Sequence, residues 1–276
     1  MELHPGAGDG RLPVNGVVQQ QVGVTPPAEY KRRKTGVQLL AERRAASSTA
    51  RTRVICYGSM KKVCQFFASF NGEKAALVEE IGFGGPLSWP WDAEPDPRFS
   101  LWLMRSVETS DRPGLCIHTR NVHGMICRDV DVHFMFGVPF EGDEIVLGGH
   151  VSEKIVRAVR KILQISNCSY PITMSEVQEV MVKRYDRRMS NAQRASFKVA
   201  AVIFAVSNFL ATNSCSTEYA NTEILKHLLD PDNIMNVNWA GYFIKCVKRE
   251  AARLKDEQLG VAPSTVIYGC PAILQV

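Results

Sequence analysis

The eight cysteines of this 276-residue chain include no CxxC pair. Scattered at 56, 64, 116, 127, 168, 215, 246 and 270, they argue against a paired-thiol redox or zinc module. They read instead as reduced residues that pack as small hydrophobes. No stretch reaches the roughly 20 apolar residues that a membrane span requires. The nearest, Val199–Val206 extended by Phe209 and Leu210, is interrupted by Lys198, Ser207 and Asn208, and reads as a buried core helix. The opening fifteen residues are polar and rich in Gly and Pro, without the apolar centre of a secretion signal. A reducing compartment, nuclear or alternatively cytoplasmic, is therefore expected. Phosphate cradles are missing too. Gly82–Gly85 and Gly148–Gly149 lack both the Lys-Ser/Thr of a P-loop and the glycine spacing of a dinucleotide turn, and they read as helix stops and turns.

Charge of one sign is absent from most of the chain. The formal excess of +5 lies within residues 1–53, which hold nine Lys/Arg against four acids. The remaining 24 bases and 24 acids balance, so a generally basic nucleic-acid-binding body is not expected. Residues 1–53 combine Gly, Pro, Gln, Ser and Thr with few large apolar side chains, the composition of a disordered basic tail. A short helix over Val37–Ala46 would be marginal alone. The tail carries the one short functional motif. Lys31, Arg32, Arg33 and Lys34, followed after eight residues by Arg43 and Arg44, fit a bipartite nuclear import signal. The same cluster would also make weak, salt-sensitive contact with nucleic acid.

The body, 54–276, is patterned for helices. Ser59 is a cap for a helix whose Val63, Phe66, Phe67 and Phe70 form a stripe at i, i+3, i+4, i+7. A second helix over Gly72–Ile81 would bury Ala76, Leu77 and Ile81 and stop at Gly82. Prolines at 86, 90, 95 and 97 then predict a loop in which Trp89 and Trp91 pack as plugs. A helix over Phe99–Val107 would group Phe99, Trp102, Leu103 and Ser106 on one side. Leu115–Thr119 and Val122–Ile126 predict a small hairpin. Asp129–Phe136 is read as a helix stopped by Gly137, although its partial alternation also suits a strand. Ser152–Ile165 is amphipathic, and Thr173/Glu176 and Ser190/Gln193 have capping-box spacing. Those boxes open helices to about Arg184 and Thr212. Tyr219–Leu229 and Asn238–Gln258 complete the series; the last places Trp239, Phe243, Val247 and Leu254 inward, and Lys245, Lys248, Arg249, Arg253 and Lys255 outward. The fold class expected is a mainly α, single irregular helical domain with a small β-hairpin behind the tail.

Chemistry-bearing residues stay unorganised. Cys116, His118, His123 and Cys127, with Asp129, Asp131 and His133 beyond, are the donors most like a zinc set, but their spacings match no standard module. Ordinary histidines and packed cysteines are expected, with no metal and no cofactor. A cysteine-protease arrangement needs a thiol, an imidazole and an orienting acid or amide, and no spacing assembles them. His227 beside Lys226 reads as solvated, and Cys270 as a buried structural cysteine. No catalytic residue is assigned.

Several stretches in order carry a family likeness: Gly82–Gly85, Phe99-Ser-Leu-Trp-Leu103, Asp129-Val-Asp-Val-His133 with Gly137-Val-Pro139, Phe209-Leu-Ala-Thr-Asn213, Asn238-Trp-Ala240 and Gly269-Cys270. This order resembles the aminotransferase-like plant mobile domain and its grass transposon-derived relatives, over roughly 60–276. The resemblance implies a helical domain of mobile-element origin, nuclear, and linked to transposon silencing and genome maintenance. It carries over no catalytic residue and no pyridoxal-phosphate lysine. Those relatives often continue into a SUMO-type cysteine protease domain. The apolar Ala272–Val276 reads as the first turn of an unfinished helix, so a chain truncated before such a domain is the alternative expectation. The leading expectation is a non-enzymatic nuclear module that binds a protein partner.

Overall fold

The computed structural model of the chain describes residues 53–70, 72–88, 96–119, 122–166, 171–211, 218–257 and 264–269. The basic tail with its import motif, the Val37–Ala46 segment, Trp89, Trp91, Cys270 and the final apolar residues all lie outside them. The described residues fall within one compact unit, Ala50–Val276.

Local signals place most helix starts. In α1, Met60–Ala68, the Ser59 hydroxyl accepts from the Lys62 amide, satisfying one of the orphan donors of a first turn. Val63 and Phe67 are fully buried, and Phe66 and Phe70 pack at the edge of the core, as the stripe predicts. Helix α2, Gly72–Glu80, buries Leu77 and Val78 and turns at Ile81 and Gly82. Ala76, expected inward, is exposed. The short α3, Gly85–Ser88, explains the glycine-rich turn. A β-carbon at Gly85 would lie 1.9 Å from the Phe136 carbonyl oxygen, so the turn serves close backbone packing.

The centre of the core is α8, Asn191–Ala205, whose last turn widens into a π-helical turn at Val206–Leu210. Every side chain from Ser196 through Ala211 is buried, as expected of the apolar run. A helix apolar all round needs neighbours on every side. Helices α2, α6 (Glu153–Leu163) and α7 (Met174–Val182) supply them. Both capping boxes form: Thr173 with Glu176, and Ser190 with Gln193. Polar groups inside α8 find partners. Ser196 Oγ donates to the Leu163 carbonyl at 3.0 Å. The Lys198 ammonium pairs with Glu80 and Asp232 at 2.8 and 2.9 Å. Burial opposes the charge of Lys198, but these two carboxylates outweigh it and raise its pKa.

Helix α9, Trp239–Asp256, packs on α4 (Pro97–Ser106) and α5 (Asp129–Phe136). Trp239, Phe243, Val247 and Leu254 face inward as expected. Trp239 Nε1 donates to the Ile234 carbonyl at 2.9 Å, and Phe136 meets Phe209 and Phe243 edge to face. Its basic residues are tied down rather than free in water. Lys245 bonds Glu144, Arg249 bonds Glu223, Arg253 bridges Glu250 and Glu257, and the Lys248 and Lys255 ammoniums reach backbone carbonyls.

Two small sheets accompany the helices. Strands β2 (Leu115–Thr119) and β3 (Val122–Cys127) form the expected antiparallel hairpin. The other sheet has no counterpart in the sequence reading. Strands β1 (Arg53–Tyr57) and β4 (Ser264–Tyr268) pair in parallel, joining residues more than 200 positions apart.

Two further expectations need correction. Tyr219–Leu229 is not a helix but a bonded loop holding one 3₁₀ turn, Leu225–Leu228. Asn221, buried at its start, diverts the backbone by accepting from the Glu223 amide. In α4, which begins at Pro97 on an Asp96 cap, Ser100, Leu101, Leu103 and Met104 face the core. Phe99 and Trp102 are 46% and 50% exposed. A helix begun two residues earlier, with its face chosen by β1 and α9, overrides the aromatic stripe.

Candidate functional site

Among the described residues, the β2–β3 hairpin brings a cysteine, a histidine and a glutamate together. Cys116 and His118 alternate onto the same face of β2, as a strand requires. A third chain segment joins them. Val107 bridges Ile117, and the Glu108 amide donates to the Cys116 carbonyl at 2.7 Å, which fixes the Glu108 carboxylate over that face. His118 Nε2 lies 2.8 Å from Glu108 Oε2 and 3.4 Å from Cys116 Sγ. Ser110 Oγ donates to Glu108 Oε1 at 2.6 Å, and the Lys248 ammonium clamps the loop through the Ser110 and Arg112 carbonyls. Hydrogen bonds from Ser110 and then His118 hold the Glu108 carboxyl down to about 2. Burial, and then the neighbouring Glu108, raises the Cys116 thiol.

This geometry defeats a thiol–imidazole–carboxylate relay. A relay needs the thiol on one ring nitrogen and the acid on the other, so that the acid orients the base. Here both converge on Nε2, and the raised thiol pKa opposes formation of a nucleophilic thiolate. The other described thiols lean the same way. Burial pushes Cys64 and Cys127 up to about 11 and Cys246 up to about 12, and raises Cys56.

The remaining zinc-like residues are dispersed. Cys127 pairs in register with Leu115 and is buried. Asp129 accepts from Asn238 Nδ2 at 2.8 Å, Asp131 caps α5 through the Arg128 amide, and His133 Nδ1 contacts the Val138 carbonyl. The side chain of His123 lies outside the described residues. His227, expected to be solvated, is half-buried with Nε2 unpaired, and burial lowers its pKa. The packing of the 225–228 turn against α6, rather than a free helix face, accounts for this. Glu108 was missed because it stands ten residues from His118, a spacing that no motif marks.

Beside the hairpin, the 109–114 loop and α9 border an open cleft of about 460 Å³. Asp129, Glu144, Lys245, Lys248 and Arg249 line it, largely paired with one another or with backbone. Behind α9, the Tyr242 hydroxyl donates to Glu223 at 2.9 Å and accepts from Asn221 at 2.8 Å. Arg249 and the Gly148 amide complete the bonding of Glu223. This network has the form of a structural brace between α9 and the 219–229 loop.

On α4, the exposed rings of Phe99 and Trp102 stack on each other, centroids 5.7 Å apart and planes at 11°. No helix among the described residues is long and apolar enough to cross a membrane.

A family model described as a domain of unknown function (DUF8566) matches residues 56–275, well over half of the chain. No curated protein and no solved structure matches it.

Proposed function

The chain belongs to the DUF8566 family, and on that premise we propose that it is a non-enzymatic nuclear module that binds a protein partner through the aromatic face of α4. The observation that carries this reading is the stacked pair Phe99–Trp102. The opposite face of α4 is anchored in the core, so the pair is presented rigidly and at little ordering cost. Large aromatic residues held this way are the usual anchors of protein interfaces. Completing the burial of both rings would contribute about 1–3 kcal/mol. The partner is a protein that offers an apolar or cationic side chain to the rings. The basic motif Lys31–Lys34 with Arg43–Arg44 supplies import and loose nucleic-acid contact in this reading. The resemblance of the motifs at Gly82–Gly85, Asp129–His133 and Asn238–Ala240 to plant mobile domains is what supports, in this reading, a transposon-derived origin and a role in silencing or genome maintenance.

The test compares proteins co-purified with the tagged chain and with a Phe99→Ala/Trp102→Ala double variant. Specific partners should be lost from the variant while its circular dichroism is unchanged. The same partners bound equally by both chains would overturn the α4 assignment. A reporter fused to residues 1–53 should concentrate in nuclei and disperse when Lys31–Lys34 become alanine. Cleavage of a SUMO fusion by purified chain, abolished by Cys127→Ala or Cys270→Ala, would refute the non-enzymatic reading.

A further inference from the structure

We propose that Glu108, Cys116 and His118 form a divalent-metal site of zinc-like preference, with a fourth position open to water or to an incoming ligand. One thiolate sulfur, one imidazole nitrogen and one carboxylate oxygen can each be chosen so that all lie within 4.8 Å of one another. The feature that denies these residues a proton relay favours a metal: both neighbours approach the same nitrogen, so three donor atoms of ligand type are gathered in one place. Zinc bonds of about 2.3 Å to sulfur and about 2.0–2.1 Å to nitrogen and oxygen, at tetrahedral angles, set S–N near ~3.5 Å and N–O near ~3.3 Å. The observed separations are 3.4 and 2.8 Å. The sulfur and nitrogen therefore already stand at ligand spacing, and the carboxylate oxygen lies about half an ångström closer to the nitrogen than a shared zinc would set it.

The surroundings are built to hold the donors. Glu108 is bonded by its own amide to the Cys116 carbonyl, and Ser110 orients its other carboxylate oxygen, the kind of support that metal-binding carboxylates receive. Gly124, across the hairpin, leaves the space that the ring and sulfur occupy. A β-carbon there would lie 3.0 Å from Cys116 Sγ and 3.2 Å from the His118 ring. The donor set selects the metal class. A thiolate beside an imidazole favours zinc and its neighbours over magnesium or calcium, which take oxygen ligands. The charges also close: thiolate and carboxylate neutralise a dication, and Arg112, 77% exposed and 3.8 Å from Glu108, is free to swing outward. Binding exchanges the Cys116 S–H bond for an S–metal bond and releases that proton to water; no electron moves.

The experiment uses the full chain stripped with a chelator and titrated with Zn²⁺ by calorimetry and with Co²⁺ by absorbance. One equivalent should bind, Co²⁺ should give a thiolate charge-transfer band, and excess Mg²⁺ or Ca²⁺ should displace neither. Cys116→Ser should abolish the band. His118→Ala and Glu108→Gln should each weaken Zn²⁺ binding by at least tenfold, and Cys127→Ser should leave it unchanged. Absence of the band from the wild-type chain would overturn the site whatever the variants do. So would equal Zn²⁺ affinity in the wild type, Cys116→Ser and His118→Ala.

Discussion

Two ion pairs on α6 have the same length and should differ tenfold in their worth. Arg160 and Glu176 meet at 2.7 Å with side chains 5% and 16% exposed. Arg157 and Glu153 also meet at 2.7 Å, but at 76% and 71% exposure. Water screens the outer pair and its long side chains lose rotamer freedom when held, so Glu153→Ala should cost about 0.3–0.5 kcal/mol. The inner pair is bidentate, with a second contact of 3.2 Å. Glu176 Oε2 additionally accepts from the Thr173 amide and hydroxyl at 2.8 and 2.9 Å, closing the cap of α7. Glu176→Ala removes the carboxylate from a buried guanidinium and opens the cap, so the loss should reach about 3–5 kcal/mol. For a domain of this size that lowers Tm by about 6–20 °C, against no more than about 2 °C for the outer variant. Glu176→Gln keeps one acceptor oxygen for Thr173 but loses the charge and the second acceptor that faces Arg160, so it should fall between them. Urea and thermal denaturation of the three variants measure all of this. Glu176→Ala and Glu153→Ala agreeing within about 0.5 kcal/mol would refute the reasoning from burial.

Backbone contact supplies another expectation. Gly142 has φ of +104°, and a β-carbon on it would stand 1.9 Å from the Asn236 carbonyl oxygen. The two strands of chain are locked there by bonds from the Asp143 amide to Asn236 and from the Asn238 amide to Asp143. Gly142→Ala should therefore cost about 2–3 kcal/mol or more, against about 1 kcal/mol for Gly148→Ala, which has open space around it; equal thermal shifts would contradict this. Alkaline pH should destabilise the fold. Cys64, Cys127 and Cys246 are raised from 9.0 to between about 11 and about 12 by burial, and Tyr242 lies well above 10. Above pH 9 the unfolded chain releases these protons while the folded chain keeps them, so stability must fall as pH rises. The urea midpoint should decline between pH 9 and 10.5 and not rise.

What was legible beforehand was mostly local. Ser59, Thr173 and Ser190 stand where a side-chain oxygen can meet an amide three residues on, and all three do so. The run 199–206 is apolar on every side, and such a helix has no stable place except the centre. The 219–229 segment misled because its apolar spacing suits a helix, while buried Asn221 spends its side chain on a turn and on the Tyr242 hydroxyl. Phe99 and Trp102 misled because hydrophobicity says that a ring prefers burial, not that room exists for it.

The sequence alone determined that this is a helical molecule, where most of its helices begin, and which of them lies at the centre. These follow from capping bonds and from the area of apolar surface, both counted over a few neighbouring residues. Only the tertiary structure decided that β1 joins β4, which face of α4 meets water, and that Glu108 stands over Cys116 and His118. Each depends on segments brought together by the packing of the whole core, and the cost and gain of that meeting leave no periodic trace in the chain.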